Sequence, residues 1–206
     1  MKEFKDVYKN ITINDSSEEI KKILQIAEGN YESILYLEGD IILNESLDFE
    51  FIEEFCVDKN LEFQIIIVNG NLTVNGRINL SEYHPGLIVT GHTKAHTLEG
   101  GDCEIHIQDG IIDYFVLGNF NSGILHTKKI KTQFVINNEH HLIVDCEDAI
   151  FINIGSSIVD NYKYHYSRSD LSSKFIPEVI FEKYLDNDEF YNFLKAGKEV
   201  FKANNV

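Results

Sequence analysis

Short apolar runs alternate with turn residues through the middle of the chain. They lie at 65–72, 87–93, 105–111, 124–130 and 142–148, and the first two read IIIVNGNL and LIVTGHT. β-Branched residues dominate the runs, and Asn-Gly, Asp-Gly or Gly-Gly pairs occur within or between them. β-Branched side chains fit a pleated sheet, whereas glycine and asparagine favour tight turns. The pattern therefore predicts a mainly β protein built from many short strands.

The runs recur at a nearly constant step. One position near a turn is occupied in successive repeats by Gly70, Gly91, Gly110, Lys129 and Glu147, at steps of 21, 19, 19 and 18 residues. A period of about 19 residues is too short for a βαβ unit, but it fits one rung of a parallel β-helix. A second apolar set falls between these positions in the same phase: Ile78/Leu80, Thr97/Leu98, Val116/Leu117 and Val135/Ile136.

The repeat predicts a short, single-stranded, parallel β-helix with rungs of about 19 residues. We expect it to be right-handed, because parallel crossovers overwhelmingly are. Glycine at a corner supplies the positive φ that a tight turn between two faces requires. An antiparallel β-sandwich is the alternative that the same strands and turns allow, and the constant phase favours the β-helix.

The segments before and within the repeat contain helical patterns. Ser16 and Glu19 form a capping-box pattern, which predicts a helix in an N-terminal cap at 1–33. The sequence SLDFEFIEEFCVD at 46–58 places apolar residues at helical spacing, and it predicts a short helix inserted near 47–57. The β-helix itself is expected to extend from residue 34 to residue 158.

The C-terminal segment at 159–206 predicts an aromatic loop followed by short helices. Pro177 suits the first turn of one helix, because its missing N–H would have no partner there. Asp186, Asn187 or Asp188 is expected to cap a second helix that stops at Gly197. The chain as a whole, 1–206, is predicted to be a single domain with helical caps at both ends.

The net charge of −16 and the pI near 4.8 restrict the possible partners. Nucleic-acid binding is not expected, because Lys and Arg supply the affinity for phosphate. No segment approaches the roughly 20 apolar residues of a membrane span. The three cysteines form no CxxC pair, which suits a reducing compartment. We therefore expect a cytoplasmic protein without nucleic-acid or membrane partners.

The acidic residues are unevenly distributed. The segment 31–58 holds nine acidic residues and no Lys or Arg. One-signed charge in an ordered domain is destabilising through self-repulsion, so a basic protein partner is a reasonable explanation; a solvated helix face is the alternative. The predicted contact residues are Glu45, Asp48, Glu50, Glu53 and Glu54, with a second group of Asp186, Asp188 and Glu189 and the aromatic anchors Tyr184 and Tyr191.

Histidine and aspartate side chains on the rungs raise two chemical alternatives. His106 and His126 are expected to be neighbours on successive rungs, but no metal-binding spacing such as HExxH occurs, so no metal or cofactor is predicted. Clustered aspartates beside lysines would suit acid–base cleavage of an acidic sugar. These aspartates mostly occupy turn positions, however, and we predict no enzymatic activity. They are Asp102, Asp109, Asp113 and Asp145, near Lys94, Lys128, Lys129 and Lys131.

Four segments carry a resemblance to known proteins: GNLTVNGRINL (70–80), LIVTGHTKAHTLEGG (87–101), YFVLGNFNSG (114–123) and FVINNEHHLIV (134–144). They resemble small bacterial β-helix proteins described as polymer-forming-like, which share the corner G-[ND]-L-x-V-x-G with bactofilins. Some short solenoids of this kind look like immunity proteins encoded beside polymorphic or contact-dependent toxins.

The resemblance implies two functions. The first is a non-enzymatic immunity protein that neutralises a cognate, basic toxin domain by binding it. The alternative is a bactofilin-like scaffold that self-associates through its rungs. The helix signals on both flanks depart from bactofilins and weaken the filament hypothesis, so toxin neutralisation is the function that we expect.

Overall fold

A computed structural model describes residues 1–81, 85–119, 123–146, 148–155 and 166–203. The chain forms a mainly β structure, a parallel β-solenoid of about 4 turns with 4 helices near its ends, which confirms the predicted fold class. None of the helices in these ranges is both long and apolar enough to cross a lipid bilayer.

The described residues contain fifteen β-strands and four α-helices. The helices are α1 (Glu18–Leu24), α2 (Phe49–Lys59), α3 (Arg168–Lys174) and α4 (Asn187–Lys195). The strands are β1 (Lys2–Glu3), β2 (Tyr8–Thr12), β3 (Ser33–Glu38), β4 (Ile41–Leu43), β5 (Ile65–Asn69), β6 (Leu72–Val74), β7 (Arg77–Leu80), β8 (Gly86–Gly100), β9 (Glu104–Asn119), β10 (Ile124–Lys131), β11 (Phe134–Asn138), β12 (His141–Val144), β13 (Ile150–Asn153), β14 (Ile180–Phe181) and β15 (Tyr184–Leu185).

Successive turns pair through three ladders of parallel strands. The first ladder joins β3, β5, β8, β9, β10 and β12; the second joins β4, β6, β8, β9 and β10; the third joins β7, β8, β9, β11 and β13. Because side chains alternate along a strand, every second residue points inward. One inward column of the first ladder consists of Leu35, Ile66, Leu87, Ile105, Leu125 and Leu142, all buried.

Flanking segments cover the ends and two of the outer sides. Helix α2 packs over the N-terminal end of the interior, where Phe51 and Phe55 join the central core. Helix α1 places Ile20 on the outer side of the first ladder. The C-terminal segment packs on the outer side of the third ladder, where Phe175 and Phe190 meet Phe115 and Phe134. The predicted N-terminal cap also contains β2, which pairs with β3 in the antiparallel direction.

The rung length varies more than the sequence repeat suggested. Gly110 pairs with Thr93 and not with Gly91, because the register shifts between β8 and β9 near Val89. The rung corners do not all need a positive φ either. Gly39 and Gly70 have φ values of 94° and 152°, but Gly91 does not have a positive φ. At Gly91 the constraint is space, since a Cβ atom would lie 2.6 Å from the carbonyl oxygen of Gly70 on the adjacent turn.

A further register difference concerns the second apolar set, where Leu98 and not Thr97 pairs with Val116. The N-terminal helix also begins one residue later than predicted. Ser17 is its N-cap, accepting a hydrogen bond from the Ile20 backbone N–H, whereas the Ser16 hydroxyl donates to a backbone carbonyl.

The inserted helix and the last helix agree with the prediction, with Asp48 as the cap of α2 and Asp186 as the cap of α4. The helix expected from Pro177 is wrong: only a 3-10 turn forms at Pro177–Val179, because the residues that follow pair as the antiparallel strands β14 and β15. Helix α3 was not predicted. Gly197 follows α4 with a φ of 65°. Residues 156–165, which include most of the predicted aromatic loop, lie outside the described residues.

Candidate partner-binding surface

Helix α2 is held firmly on the end of the solenoid. Phe51, Ile52 and Phe55 are buried, and Phe4 packs edge-on against both phenylalanine rings at centroid distances of 5.3 and 5.7 Å. The Asp48 carboxylate accepts the Phe51 backbone N–H at 3.1 Å. This anchoring fixes the opposite side of α2 as a rigid, solvent-facing surface.

The exposed side of α2 combines negative charge with apolar groups. Residues four apart lie on the same helix face, so Glu50, Glu54 and Asp58 form one row, and Phe49, Glu53 and Val57 form the next. All six are exposed, with 51% of Phe49 and 75% of Val57 accessible. We call these six residues the acidic α2 surface.

Lys5 lies at the margin of this surface. Its ammonium group contacts the Glu45 carboxylate at 2.9 Å and stands 4.9 Å from the centre of the Phe51 ring. The hydrogen bond to Glu45 raises the pKa of Lys5, and the charges of Glu54 and Asp58 raise it further. Glu45 is therefore already paired within the chain, whereas Glu50, Glu53 and Glu54 project into solvent.

The second predicted group has mostly internal roles. Asp186 accepts the backbone N–H groups of Asp188 and Glu189 at 3.2 and 3.1 Å, as the cap of α4. The Tyr191 ring is only 8% exposed, and its hydroxyl contacts His96 Nδ1 at 2.9 Å. Tyr184 is 40% exposed and stacks with Arg168 at 4.3 Å. Of this group, Tyr184, Asp188 and Glu189 have exposed side chains that are not used as helix caps.

Arg77, which the sequence analysis did not single out, connects the two predicted groups. Its guanidinium binds the buried Glu99 carboxylate through two nitrogens at 2.8 and 2.7 Å, and it reaches Asp188 at 2.6 Å. Its backbone carbonyl accepts the N–H of Leu47, close to the start of α2. Burial lowers the pKa of Arg77, but the hydrogen bonds to Glu99 and Asp188 raise it overall. This network links α4 to Arg77, next to the start of α2.

A second site that the sequence analysis missed is centred on Glu104. This buried carboxylate accepts the backbone N–H groups of Glu28 (2.6 Å) and Gly29 (2.9 Å), together with the Tyr31 hydroxyl (2.8 Å). It also contacts His106 Nε2 at 2.6 Å. Burial alone would raise the pKa of Glu104, but these hydrogen bonds bring it below its ordinary value. The network ties the segment after α1 to the solenoid.

The prediction that His106 and His126 are neighbours on successive rungs is confirmed. His106 and His126 occupy paired positions on β9 and β10, and their ring centres lie 5.7 Å apart. Burial, followed by the charges of His106, Lys128 and His141, lowers the pKa of His126. In the part of the chain that the structure describes, no three His, Cys, Asp or Glu side chains converge as a metal site would require.

The four aspartates of the carbohydrate alternative do not form one cluster. Asp109 and Asp145 line a common groove, whereas Asp102 lines a separate pocket beside Glu104. The Asp113 backbone carbonyl accepts a hydrogen bond from Gln133, and its side chain lines neither pocket. Of the four, Asp109 and Asp145 therefore share one groove, and the predicted cluster is not formed.

Comparisons with protein-family models, with curated proteins and with solved structures found no match for this chain. The solenoid is consistent with the resemblance to β-helix proteins. Its assignment to bactofilin-like or immunity proteins stays a prediction.

Proposed function

We propose that this chain is a non-enzymatic immunity protein that neutralises a basic bacterial toxin domain by binding it through the acidic α2 surface. The observation that supports the proposal is the arrangement of α2. Glu50, Glu54 and Asp58 form a continuous negative row, and the exposed Phe49 and Val57 lie directly beside it.

This arrangement suits protein recognition for two reasons. Exposed carboxylates attract a basic partner, which accelerates association, and they repel acidic competitors. Apolar side chains next to the charges supply the area that is removed from water in the complex, and aromatic residues such as Phe49 are enriched at interface centres. Because the buried side of α2 is fixed by Phe51 and Phe55, little order has to be gained on binding.

The proposal is tested by co-expression with the product of the neighbouring reading frame. That product is expected to arrest growth when expressed alone, and this chain is expected to restore growth and to co-purify with it. The charge-reversal variant Glu50→Lys/Glu53→Lys/Glu54→Lys should lose both properties, because like charges across an interface repel.

A matched control separates the surface from the net charge. Glu32→Lys/Glu178→Lys/Glu199→Lys makes the same change in net charge at exposed positions away from α2, and it should keep protection intact. Equal loss in both variants would contradict the assignment to α2. Recovery of the chain alone, as salt-resistant polymers, would instead favour the self-associating scaffold.

A further inference from the structure

The outer side of the second ladder differs from the other two. Helix α1 packs on the first ladder and the C-terminal segment packs on the third, whereas the second presents Lys94, Ile111 and Lys131 in register. The two lysines are exposed, and 41% of Ile111 is accessible. The second ladder is therefore a solvent-facing sheet surface.

A groove of about 680 Å³ opens at the C-terminal end of this ladder. It lies between the end of β10 and the segment that follows β12. The backbone hydrogen bond from Ile130 N–H to the Asp145 carbonyl (2.9 Å) holds the departing segment against β10. Lys128, Lys129 and Lys131 line the groove from β10, and Asp145 and Asp148 line it from the departing segment.

Three lysines of this acidic chain meet at the groove. Among the described lysines, Lys5, Lys9 and Lys21 lie within 4.0 Å of a carboxylate oxygen. Lys128, Lys129 and Lys131 have no carboxylate oxygen within that distance among the described residues. Three ammonium groups on one strand therefore share the groove with the carboxylates of Asp109, Asp145 and Asp148, so the site offers both cations and hydrogen-bond acceptors.

The remaining polar groups define the ligand more closely. Asp109 is paired with His92 at 2.5 Å, which leaves Asp145 and Asp148 as exposed acceptors in the groove. We propose that the groove binds a small, hydroxyl-rich anion, such as a sugar phosphate or an acidic sugar. The lysines bind its anionic group, and the two aspartates accept hydrogen bonds from its hydroxyls. The volume lies within the roughly 300–1,000 Å³ that is usual for small-molecule sites.

The test is an NMR titration of the full-length chain with glucose 6-phosphate and with glucuronate, using glucose and inorganic phosphate as separate controls. At least one of the two hydroxylated anions should shift the amide signals of Gly110, Ile130 and Asp145 saturably, and should bind about tenfold more tightly than either control. Tighter binding of glucose 6-phosphate assigns a phosphoryl group, and tighter binding of glucuronate assigns a carboxylate.

Variants establish that the lysines are responsible. Lys129→Gln/Lys131→Gln should weaken binding by about tenfold or more, whereas Lys59→Gln on α2 should leave it unchanged. All three lysines are exposed, so the variants should keep the parent melting temperature. The proposal is overturned if neither anion produces saturable shifts at the groove, if phosphate alone binds as tightly as glucose 6-phosphate, or if the double variant binds like the parent.

Discussion

Glu104 shows how one side chain decides the position of a whole segment. Four donors converge on its carboxylate, and three of them come from Glu28, Gly29 and Tyr31, more than 70 residues earlier in the chain. A buried carboxylate is stable only when hydrogen bonds replace its water. The segment after α1 supplies those bonds, so the burial of Glu104 and the docking of the segment depend on each other.

Glu104→Gln should therefore lower the free energy of unfolding by about 2–3 kcal/mol, because hydrogen bonds to a charged group are lost and an amide donor faces the backbone N–H groups. Urea denaturation at neutral pH measures the change. Glu28→Gln is the matched control, since its backbone N–H remains and its side chain is exposed; we expect a change within about 0.5 kcal/mol. Equal losses in the two variants would contradict the role given to the Glu104 carboxylate.

Acidification should destabilise the protein in two stages. Burial and the charges of His106, Lys128 and His141 lower the pKa of His126 in the folded chain. As the pH falls below the ordinary histidine pKa of 6.5, the unfolded chain therefore binds a proton before the folded chain does, and the folded state loses stability. The pKa of Glu104 is also lowered, so its stabilisation is complete above its ordinary 4.5 and is lost as pH falls further.

Melting temperatures between about pH 8 and about pH 3 test this order. In His126→Gln the decline between about pH 7 and about pH 5.5 should shrink, while the later decline remains. A profile in that interval identical to the parent's would show that His126 does not contribute.

At the scale of elements, Arg77 adds a polar attachment of α4 to the solenoid, beside the apolar packing of Phe190 against Phe115 and Phe134. Glu99 has only 2% of its side chain exposed, whereas Asp188 is 76% exposed. The same guanidinium thus makes one buried and one exposed ion pair. The cation also lies 5.0 Å from the centre of the Tyr191 ring on α4.

Arg77→Met should cost about 3–5 kcal/mol of stability, because it leaves the buried Glu99 charge without a cationic partner and with only the Thr97 hydroxyl as a donor. Asp188→Asn should cost no more than about 1 kcal/mol, because an exposed pair is screened by water. Chemical denaturation gives both values, and hydrogen exchange of α4 amides shows whether the helix loosens. Similar losses in the two variants would contradict the larger contribution assigned to the buried Arg77–Glu99 pair.

The elements differ in how far the sequence could predict them. Strands such as β5 and helix α2 have strong apolar patterns of the correct period, and both were anticipated. The polar strand β2 was not, because its residues YKNIT have little apolar signal and its strand state comes from pairing with β3. The register shift after Val89 was also hidden, since it depends on contact between turns. The same holds for Arg77 and Glu104, whose partners are distant in sequence.

At the scale of the molecule, the net charge of −16 is concentrated unevenly. The acidic α2 surface places four carboxylates on one short helix, and the groove places three lysines on one strand. Self-repulsion on α2 is a stability cost that is maintained in the free protein. The melting temperature should therefore depend on the salt concentration.

Raising the salt concentration from about 0.02 M to about 0.5 M should increase the melting temperature, because screening weakens repulsion between exposed charges. Glu50→Gln/Glu53→Gln/Glu54→Gln should melt higher than the parent at low salt and should respond less to added salt. Glu32→Gln/Glu178→Gln/Glu199→Gln has the same net charge and should resemble the parent. Identical behaviour of the two variants would mean that total charge, and not its crowding on α2, sets the response.

The position of α2 has a consequence for the number of molecules in any assembly. Two solenoids can stack end to end only if the terminal rung of each is uncovered at the joining end. At the N-terminal end of this solenoid, Phe51 and Phe55 of α2 cover the terminal rung. Each molecule therefore has at most one end through which rungs can join. A chain of subunits needs two such ends on every member, so stacking of this protein terminates at a pair, whatever its concentration.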